Sequence, residues 1–138
     1  MTTHLTTHQV ILAADTSVVL DGQVLGKPRD REDFVRIMLA LSGREHEVMT
    51  AVTLRAMDRQ DTFLNISHVQ FRQLSTREID AYWETGEPVD KAGGYAIQGV
   101  GAAFIVHLTG SYSSVMGLPL QETAALLTEF GVPWALNP

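Results

Sequence analysis

Two acid–lysine pairs, each close to glycine, are the side chains of this sequence best suited to chemistry on phosphate groups. Asp15 and Lys27 flank a short segment that contains Asp21–Gly22. Further along, Asp90 stands directly before Lys91. A carboxylate can hold a divalent cation, while a lysine ammonium neutralises phosphate oxygens. The alternative interpretation of Asp15 and Lys27 is a surface salt bridge beside a turn, the commoner outcome for exposed charges.

A β-hairpin is predicted to position the first pair. Asp21–Gly22 lies between two apolar runs, which is a strong signal for a tight hairpin turn. The run Val10–Leu12 predicts a strand that ends on Asp15, and an acid at the end of a buried strand is costly unless it binds something. The return strand is expected to end at Gly26–Pro28, so the open end of the hairpin would bring Asp15 and Lys27 together.

The second pair lies in a glycine-rich stretch, Gly86–Gly101, that suits contact with a nucleotide. Glycines let the backbone approach a ligand closely and leave N–H groups to face phosphates. Gln98 offers both a donor and an acceptor, which is what reading the edge of a base requires. The glycine spacing fits neither a Walker loop nor a dinucleotide fingerprint, so an ordinary surface loop is the alternative.

Catalysis by a serine nucleophile or by zinc is disfavoured. Ser111 and Ser113 precede a helix, but a serine nucleophile needs a positioned base, and no Gly-x-Ser-x-Gly elbow is present. The five histidines are scattered and include no His-x-x-x-His pair. His4 and His8 suggest metal binding, with a frayed N-terminus as the alternative.

The segments between these stretches alternate between strand and helix. Asp30 and the capping-box pattern of Ser75 and Glu78 are the expected helix N-caps. Strands mixed with helices indicate an α/β domain, a mixed sheet with flanking helices. We expect a single domain over residues 1–138, with residues 1–9 as an irregular leader. Periodicity and turn residues predict helices over Arg29–Ser42, Ser75–Gly86 and Pro119–Phe130, strands over His46–Met57, Thr62–Phe71 and Val100–Leu108, and turns over Asp58–Asp61 and Thr109–Tyr112.

The composition is that of an ordinary globular protein and excludes several classes. The chain has 138 residues, of which 45% are hydrophobic and 19% charged, and its formal net charge is -6. The acidic balance argues against a general nucleic-acid surface, although a few placed cations could still hold a nucleotide. No cysteine is present, which excludes disulfides and thiolate metal sites. No apolar run approaches the ~20 residues of a membrane span and no signal peptide is evident, so we expect a cytoplasmic protein with no membrane partner.

Four stretches, taken together and in order, are far more specific than any single motif. They are AADT with GKPRD, LSGREHEVMTAV, FRQLSTREIDAYWETGEPVDKAGGYAIQGVG and GSYSSVMGLPLQETAALL. From Asp15 to Leu127 they resemble the Maf family of nucleotide pyrophosphatases, which is similar in fold to the inosine-triphosphate pyrophosphatases. The resemblance implies hydrolysis of nucleoside triphosphates to monophosphate and pyrophosphate, with a divalent Mg or Mn ion as cofactor and a homodimer as the assembly.

The resemblance also implies roles for individual residues. Thr16 and Gln98 match the residues that mark the branch acting on dTTP and UTP, with modified nucleotides as further substrates. Asp15 would be the base or a metal-linked acid, and Lys27 and Lys91 would be the cations on the phosphate side. The competing interpretation is a nucleotide-binding or assembly protein of the same family with weak or no catalysis.

The N-terminal end departs from the family pattern. Family members begin with a strand and a Ser-x-Ser-Pro-Arg-Arg loop, and Met1–Leu12 contains no such motif. The arginines of that loop would neutralise triphosphate charge in the transition state. We therefore expect an N-terminally truncated member, whether a shortened gene product, an engineered fragment or a start codon placed too late. The missing strand would leave an open edge and expose Val10, Ile11 and Leu12, which predicts association into a homodimer or larger assembly.

Overall fold

A five-stranded sheet runs through residues 9–138, the part of the chain that the computed structural model describes. The expectations for residues 1–8 of the leader, including His4 and His8, lie outside the described residues. The strands are β1 (Val10–Leu20), β2 (Gln23–Leu25), β3 (Glu45–Ala56), β4 (Arg59–Phe71) and β5 (Ile105–Thr109), in the spatial order β2-β1-β3-β4-β5. The α-helices of the same range are α1 (Arg31–Leu41), α2 (Thr76–Glu84), α3 (Tyr112–Met116) and α4 (Leu120–Glu129), and two 3-10 helices cover Ala92–Gly94 and Val100–Phe104.

The predicted α/β domain, a sheet with flanking helices, is confirmed, but the sheet is not mixed. All four strand pairings among the described residues are antiparallel. The hairpins β1–β2 and β3–β4 reverse the chain through two-residue turns. Strands β2 and β3 are connected through α1 and run in the same direction, but β1 lies between them. A parallel pair of neighbours therefore never forms.

Strand β1 is longer than the sequence predicted, and this changes the setting of Asp15. The strand continues to Leu20 because it pairs with β3 along almost its whole length, from Val10 opposite Ala56 to Val19 opposite Glu47. Asp15 therefore lies in the middle of a strand and is exposed, so no penalty for burying an end-of-strand acid arises. The prediction that the strand ends at Asp15 was wrong because the polar run that follows it still satisfies its backbone on β3.

Turns and caps read from single residues are confirmed. Asp21 and Gly22 form the hairpin turn with φ values of 51° and 77°. Asp30 caps α1 by accepting a hydrogen bond from the N–H of Asp33 at 2.7 Å. The hydroxyl of Ser75 accepts from the N–H of Glu78 at 3.1 Å while the Glu78 carboxylate accepts from the Ser75 N–H, which completes the capping box on α2.

Two segments near the C-terminal half differ from the prediction. The expected strand Val100–Leu108 begins as a 3-10 helix and becomes strand β5 only at Ile105. The carboxylate of Glu87 accepts hydrogen bonds from the N–H groups of Val100 and Gly101 at 2.8 and 3.0 Å, so these donors are not free to pair in a sheet. The β3–β4 turn is also tighter than predicted, since Met57 adopts a φ of 57° and two residues suffice for the reversal.

The helices all pack on one face of the sheet. Phe34 of α1 and Ile79 of α2 are fully buried against Val48 and Phe71, which point inward from β3 and β4. The carbonyl of Ser114 in α3 and the carboxylate of Glu122 in α4 bond to inward-facing side chains of the same strands. The opposite face leaves Ile11, Leu64 and Ile66 between 43% and 57% exposed. The cavity described next opens on the helix-covered side.

None of the helices in residues 9–138 is long and apolar enough to cross a membrane.

Candidate active site

A cavity of about 250 Å³ is lined by every residue that the sequence predicted for the site. It lies where β1, the segment after β2, the loop that follows α2 and helix α3 meet. The polar lining consists of lysines, aspartates, hydroxyl residues and a glutamine, and the apolar lining includes Val18, Val48, Val115 and Met116. The predicted residues on its wall are Asp15, Thr16, Lys27, Lys91 and Gln98.

Within the described residues Lys27 does not pair with Asp15, the salt bridge considered from the sequence. It pairs with Asp90 instead. Its ammonium lies 3.0 Å from the carboxylate of Asp90, and the two side chains are 62% and 78% exposed. The hydrogen bond from Lys27 lowers the pKa of Asp90 below its ordinary value. This pair joins the end of the hairpin to the glycine-rich loop and holds Lys27 at the rim of the cavity.

Thr16 is held on the cavity wall by the register of β1 against β3. It lies directly opposite Thr50, and the two hydroxyl oxygens are 2.9 Å apart. Thr50 is fully buried and donates to the backbone carbonyl of Ser114 at 2.8 Å. The position of the Thr16 hydroxyl is thus fixed by a strand and by helix α3 together.

The glycines of the predicted nucleotide loop serve close packing. Gly93 has a φ of 70°, and a Cβ there would lie 2.7 Å from a methyl group of Val18. Its N–H donates to the carbonyl of Gly26 at 3.2 Å, which ties the loop to the segment that carries Lys27. Only glycine lets the loop lie this close to β1, and the contact brings Lys91 and Gln98 to the same cavity as Asp15.

Tyr95, which the sequence analysis did not identify, also lines the cavity. Its hydroxyl lies 2.6 Å from Nε2 of His46, a buried side chain of β3. Burial lowers the pKa of His46 to about 4 and raises the pKa of Tyr95 above its ordinary value. Both rings are therefore neutral near pH 7. The alternation of β3 could have indicated that His46 is buried, but nothing local in the sequence links it to Tyr95.

The serine-rich stretch Gly110–Leu120 contributes helix caps. The hydroxyl of Ser111 caps α3 by accepting from the N–H of Ser114 at 3.1 Å. The hydroxyl of Ser113 accepts from the N–H of Leu120 at 2.9 Å, at the start of α4. These caps place Val115 and Met116 on the cavity wall. The turn predicted over Thr109–Tyr112 leads into the five-residue helix α3, which was not predicted although its serine N-cap is visible in the sequence.

The charged side chains fit a divalent ion that arrives with a phosphate ligand better than one in a resident cage. No group of three or more histidine, aspartate or glutamate side chains in residues 9–138 could hold a metal by itself. Mg²⁺ is commonly bound through one or two carboxylates, with water and substrate phosphates as its other ligands. Asp15 is exposed on the cavity wall and can supply such a carboxylate.

The fold and the cavity define an α/β domain whose concave site is lined by two lysines and two aspartates beside a threonine, a tyrosine and a glutamine. The chain belongs to the Maf-like protein family, whose model matches residues 1–130.

Named relatives agree with this assignment. The chain is 56% identical over 124 residues to the dTTP/UTP pyrophosphatase of Alkalilimnicola ehrlichii, across 90% of this chain and 61% of that protein. It is 57% identical over 122 residues to the protein of the same name from Methylococcus capsulatus, across 88% of this chain and 60% of the relative. The match to the dTTP/UTP pyrophosphatase of Aliivibrio fischeri is 53% over 120 residues, across 87% and 63% of the two chains. The chain thus spans about three-fifths of the length of the curated relatives it matches.

Proposed function

We propose that this chain acts as a nucleoside triphosphate pyrophosphatase that hydrolyses dTTP and UTP to the monophosphate and pyrophosphate. The observation that carries the proposal is the shared cavity: Asp15, Thr16, Lys27, Lys91 and Gln98 come from three separate segments of the chain and line the same cavity. The names of the relatives support the same reaction, since each is a dTTP/UTP pyrophosphatase.

In the proposed reaction a water molecule attacks the α-phosphorus of the nucleotide. The new bond joins the water oxygen to phosphorus, the bond from phosphorus to the α–β bridging oxygen breaks, and pyrophosphate leaves with that oxygen. Asp15 takes the proton of the attacking water, because it lines the cavity, is exposed and, within residues 9–138, has no lysine partner of the kind that holds Asp90. Thr16 and Gln98 contact the base, in line with their hydroxyl and amide chemistry.

Lys27 and Lys91 are proposed to neutralise the phosphate oxygens. Lys27 first has to leave or share Asp90, and exposed ion pairs of this kind are weak, so a phosphate can displace the carboxylate at little cost. We also propose a divalent Mg or Mn ion that binds Asp15 together with the phosphates. When bound, it would withdraw charge from the phosphoryl oxygens and stabilise the leaving pyrophosphate.

A nucleotide-binding protein with weak or no turnover remains the second candidate, and the charge of the cavity favours it. Lys27 and Lys91 are balanced on the wall by Asp15 and Asp90, so these residues offer no net positive charge to a triphosphate. Transition-state charge in phosphoryl transfer is normally offset by several cations.

The substitution Asp15→Asn separates these functions. We expect the release of pyrophosphate from UTP and Mg²⁺ to fall by about 100-fold or more, the usual contribution of a general base. The fold should persist, because Asp15 is exposed and asparagine has the same shape. Asp58→Asn, in the exposed β3–β4 turn and away from the cavity wall, is the matched control and should keep the parental rate.

The outcomes of this assay are distinct. Turnover by the parent chain that EDTA abolishes supports the metal-dependent enzyme. Equal rates for the parent and Asp15→Asn would remove Asp15 from the mechanism. Binding of a non-hydrolysable UTP analogue without pyrophosphate release would favour the binding protein.

We further propose that the chain forms a homodimer and works in the cytoplasm. Within the described part of the chain, residues 10–17 of β1 have a strand neighbour, β3, on one side only, because β2 reaches no further than Val18. Ile11 and Leu12, on this edge, are 47% and 42% exposed. An open strand with apolar side chains favours pairing with a second chain. Cell fractionation is the direct check of the location.

A further inference from the structure

The hydrogen bonds around Thr16 fix the direction in which its hydroxyl proton points. Thr50 has a single hydroxyl hydrogen, and it donates that hydrogen to the carbonyl of Ser114 at 2.8 Å. The contact of 2.9 Å between the two threonine hydroxyls must therefore be donated by Thr16. Thr50 is fully buried, so no solvent competes for its lone pairs.

It follows that Thr16 meets a ligand in the cavity only as an acceptor. Its one hydrogen is engaged with Thr50, so only lone pairs of the Thr16 oxygen remain for a ligand in the cavity that Thr16 lines. Rotation of the Thr16 hydroxyl toward a ligand would leave a buried acceptor on Thr50 without its donor, which is unfavourable. A ligand group that lies against Thr16 must therefore carry an N–H or O–H.

Gln98 cannot make this distinction alone. Its side-chain amide carries a donor and an acceptor, and a rotation by half a turn exchanges them. Uracil and thymine present an N3–H donor beside the O4 acceptor, whereas cytosine presents an N3 acceptor beside an N4 amino donor. A rotating amide can satisfy either edge. A hydroxyl whose hydrogen already bonds to another residue can only accept, so at position 3 it can pair with the N–H of uracil or thymine but not with the bare N3 of cytosine.

We propose that Thr16 meets position 3 of the base and that Thr50 is a specificity-determining positioning residue: by fixing the Thr16 hydroxyl as an acceptor, it selects bases with an imide N–H at that position over cytosine. The inference rests on the proposed function, since it assigns Thr16 to base contact. Thr50 acts through Thr16 and does not line the cavity itself. The carbonyl of Ser114, on α3, is the anchor of the chain of hydrogen bonds.

The variant Thr50→Val tests this role. Valine keeps the shape of the side chain but can neither donate nor accept, so the Thr16 hydroxyl becomes free to turn its hydrogen toward the ligand. The Ser114 carbonyl keeps its hydrogen bond from the N–H of Gly117. We expect the preference for UTP over CTP to fall by about tenfold or more, mainly because CTP binds better, as one correctly oriented hydrogen bond decides the ratio.

Two readouts apply to the 138-residue chain: the affinities of the α,β-methylene analogues of UTP and CTP by calorimetry, and the ratio of kcat/KM for UTP and CTP. Thr50→Ser keeps the hydroxyl and should keep the parental ratio. Thr53→Val is the matched control, because Thr53 forms the same cross-strand pair with Thr62, at 2.9 Å and exposed, and it does not line the cavity. A merely structural role of Thr50 would lower both affinities together and leave their ratio unchanged.

Two results would overturn the inference. The first is an unchanged ratio of UTP to CTP preference in folded Thr50→Val. The second is equal binding of the UTP and CTP analogues by the parent chain, a comparison that needs no variant. Both of these results leave the proposed pyrophosphatase function intact. A parent chain that neither binds nor hydrolyses UTP overturns the proposed function and this inference with it.

Discussion

Acidification should destabilise this protein through a single buried imidazole. His46 is 2% exposed, its Nε2 lies 2.6 Å from the Tyr95 hydroxyl, and its Nδ1 has no hydrogen-bond partner within residues 9–138. Protonation would place an unpaired N–H and a charge among the rings of Phe71 and Tyr95, which contact His46 edge-on. Of these contacts only Tyr95 can titrate, and burial moves its pKa upward, away from the acidic range.

The magnitude follows from the two pKa values of His46. Burial lowers the pKa from 6.5 to about 4 in the folded chain. Between these values the unfolded chain binds the proton and the folded chain does not, so the free energy of unfolding falls as the pH falls. Each unit of difference is worth about 1.4 kcal/mol, which gives a loss of about 2 kcal/mol between pH 7 and pH 5 and about 3 kcal/mol at pH 4.

Urea denaturation at a series of pH values measures this loss. The variant His46→Gln, which keeps an amide near the Tyr95 hydroxyl, should lose most of the slope between pH 7 and pH 5 even if it is less stable throughout. Glu78 does not contribute in this window, because the Arg72 hydrogen bond lowers its pKa to about 2. His107→Gln, at an exposed histidine of β5, is the control and should keep the parental slope. The same slope in His46→Gln and in the parent would refute the reasoning.

The remaining predictions concern packing and assembly. Gly93→Ala should lower the free energy of unfolding by about 2 kcal/mol or more, because the φ of 70° is strained for alanine and the new Cβ would lie 2.7 Å from Val18. Gly26→Ala, which has nothing within 4 Å of its added Cβ, should leave the urea midpoint unchanged, and equal midpoints for both variants would contradict this account. Light scattering across a dilution series should find a dimer or larger assembly, and a compact monomer at micromolar concentration would show that the edge at Ile11 is not an interface.

Local chemistry accounts for the parts of the fold that the sequence predicted. The Asp21–Gly22 turn and the capping box of Ser75 depend on residues within four positions of one another, so they are visible without knowledge of the fold. The lysines and Asp15 were selected by their charge and by neighbouring glycines. Thr16 was selected by family resemblance, since a threonine in a polar run has no distinctive local signal.

The features that were missed depend on distant contacts. The extension of β1 past Asp15 requires its register on β3, and the 3-10 helix at Val100 requires the carboxylate of Glu87 from another loop. The orientation of the Thr16 hydroxyl depends on Thr50, which is 34 residues away in the chain. Thr50 in turn depends on the carbonyl of Ser114, a further 64 residues along. No window of the sequence contains these partners together, so periodicity and propensity could not reveal them.

The construction of the cavity from four separate segments has a consequence for the lifetime of the protein. A ligand that contacts β1, the segment of Lys27, the loop of Lys91 and helix α3 together binds only the fully folded chain. Its binding energy therefore adds to the stability of the whole domain, by about 2.7 kcal/mol at a ligand concentration of 100 times Kd. With the proposed substrates, the chain would resist heat and proteases best when nucleotide is abundant. It would be degraded fastest when nucleotide is depleted, so that supply of the substrate itself sets how much of the protein persists.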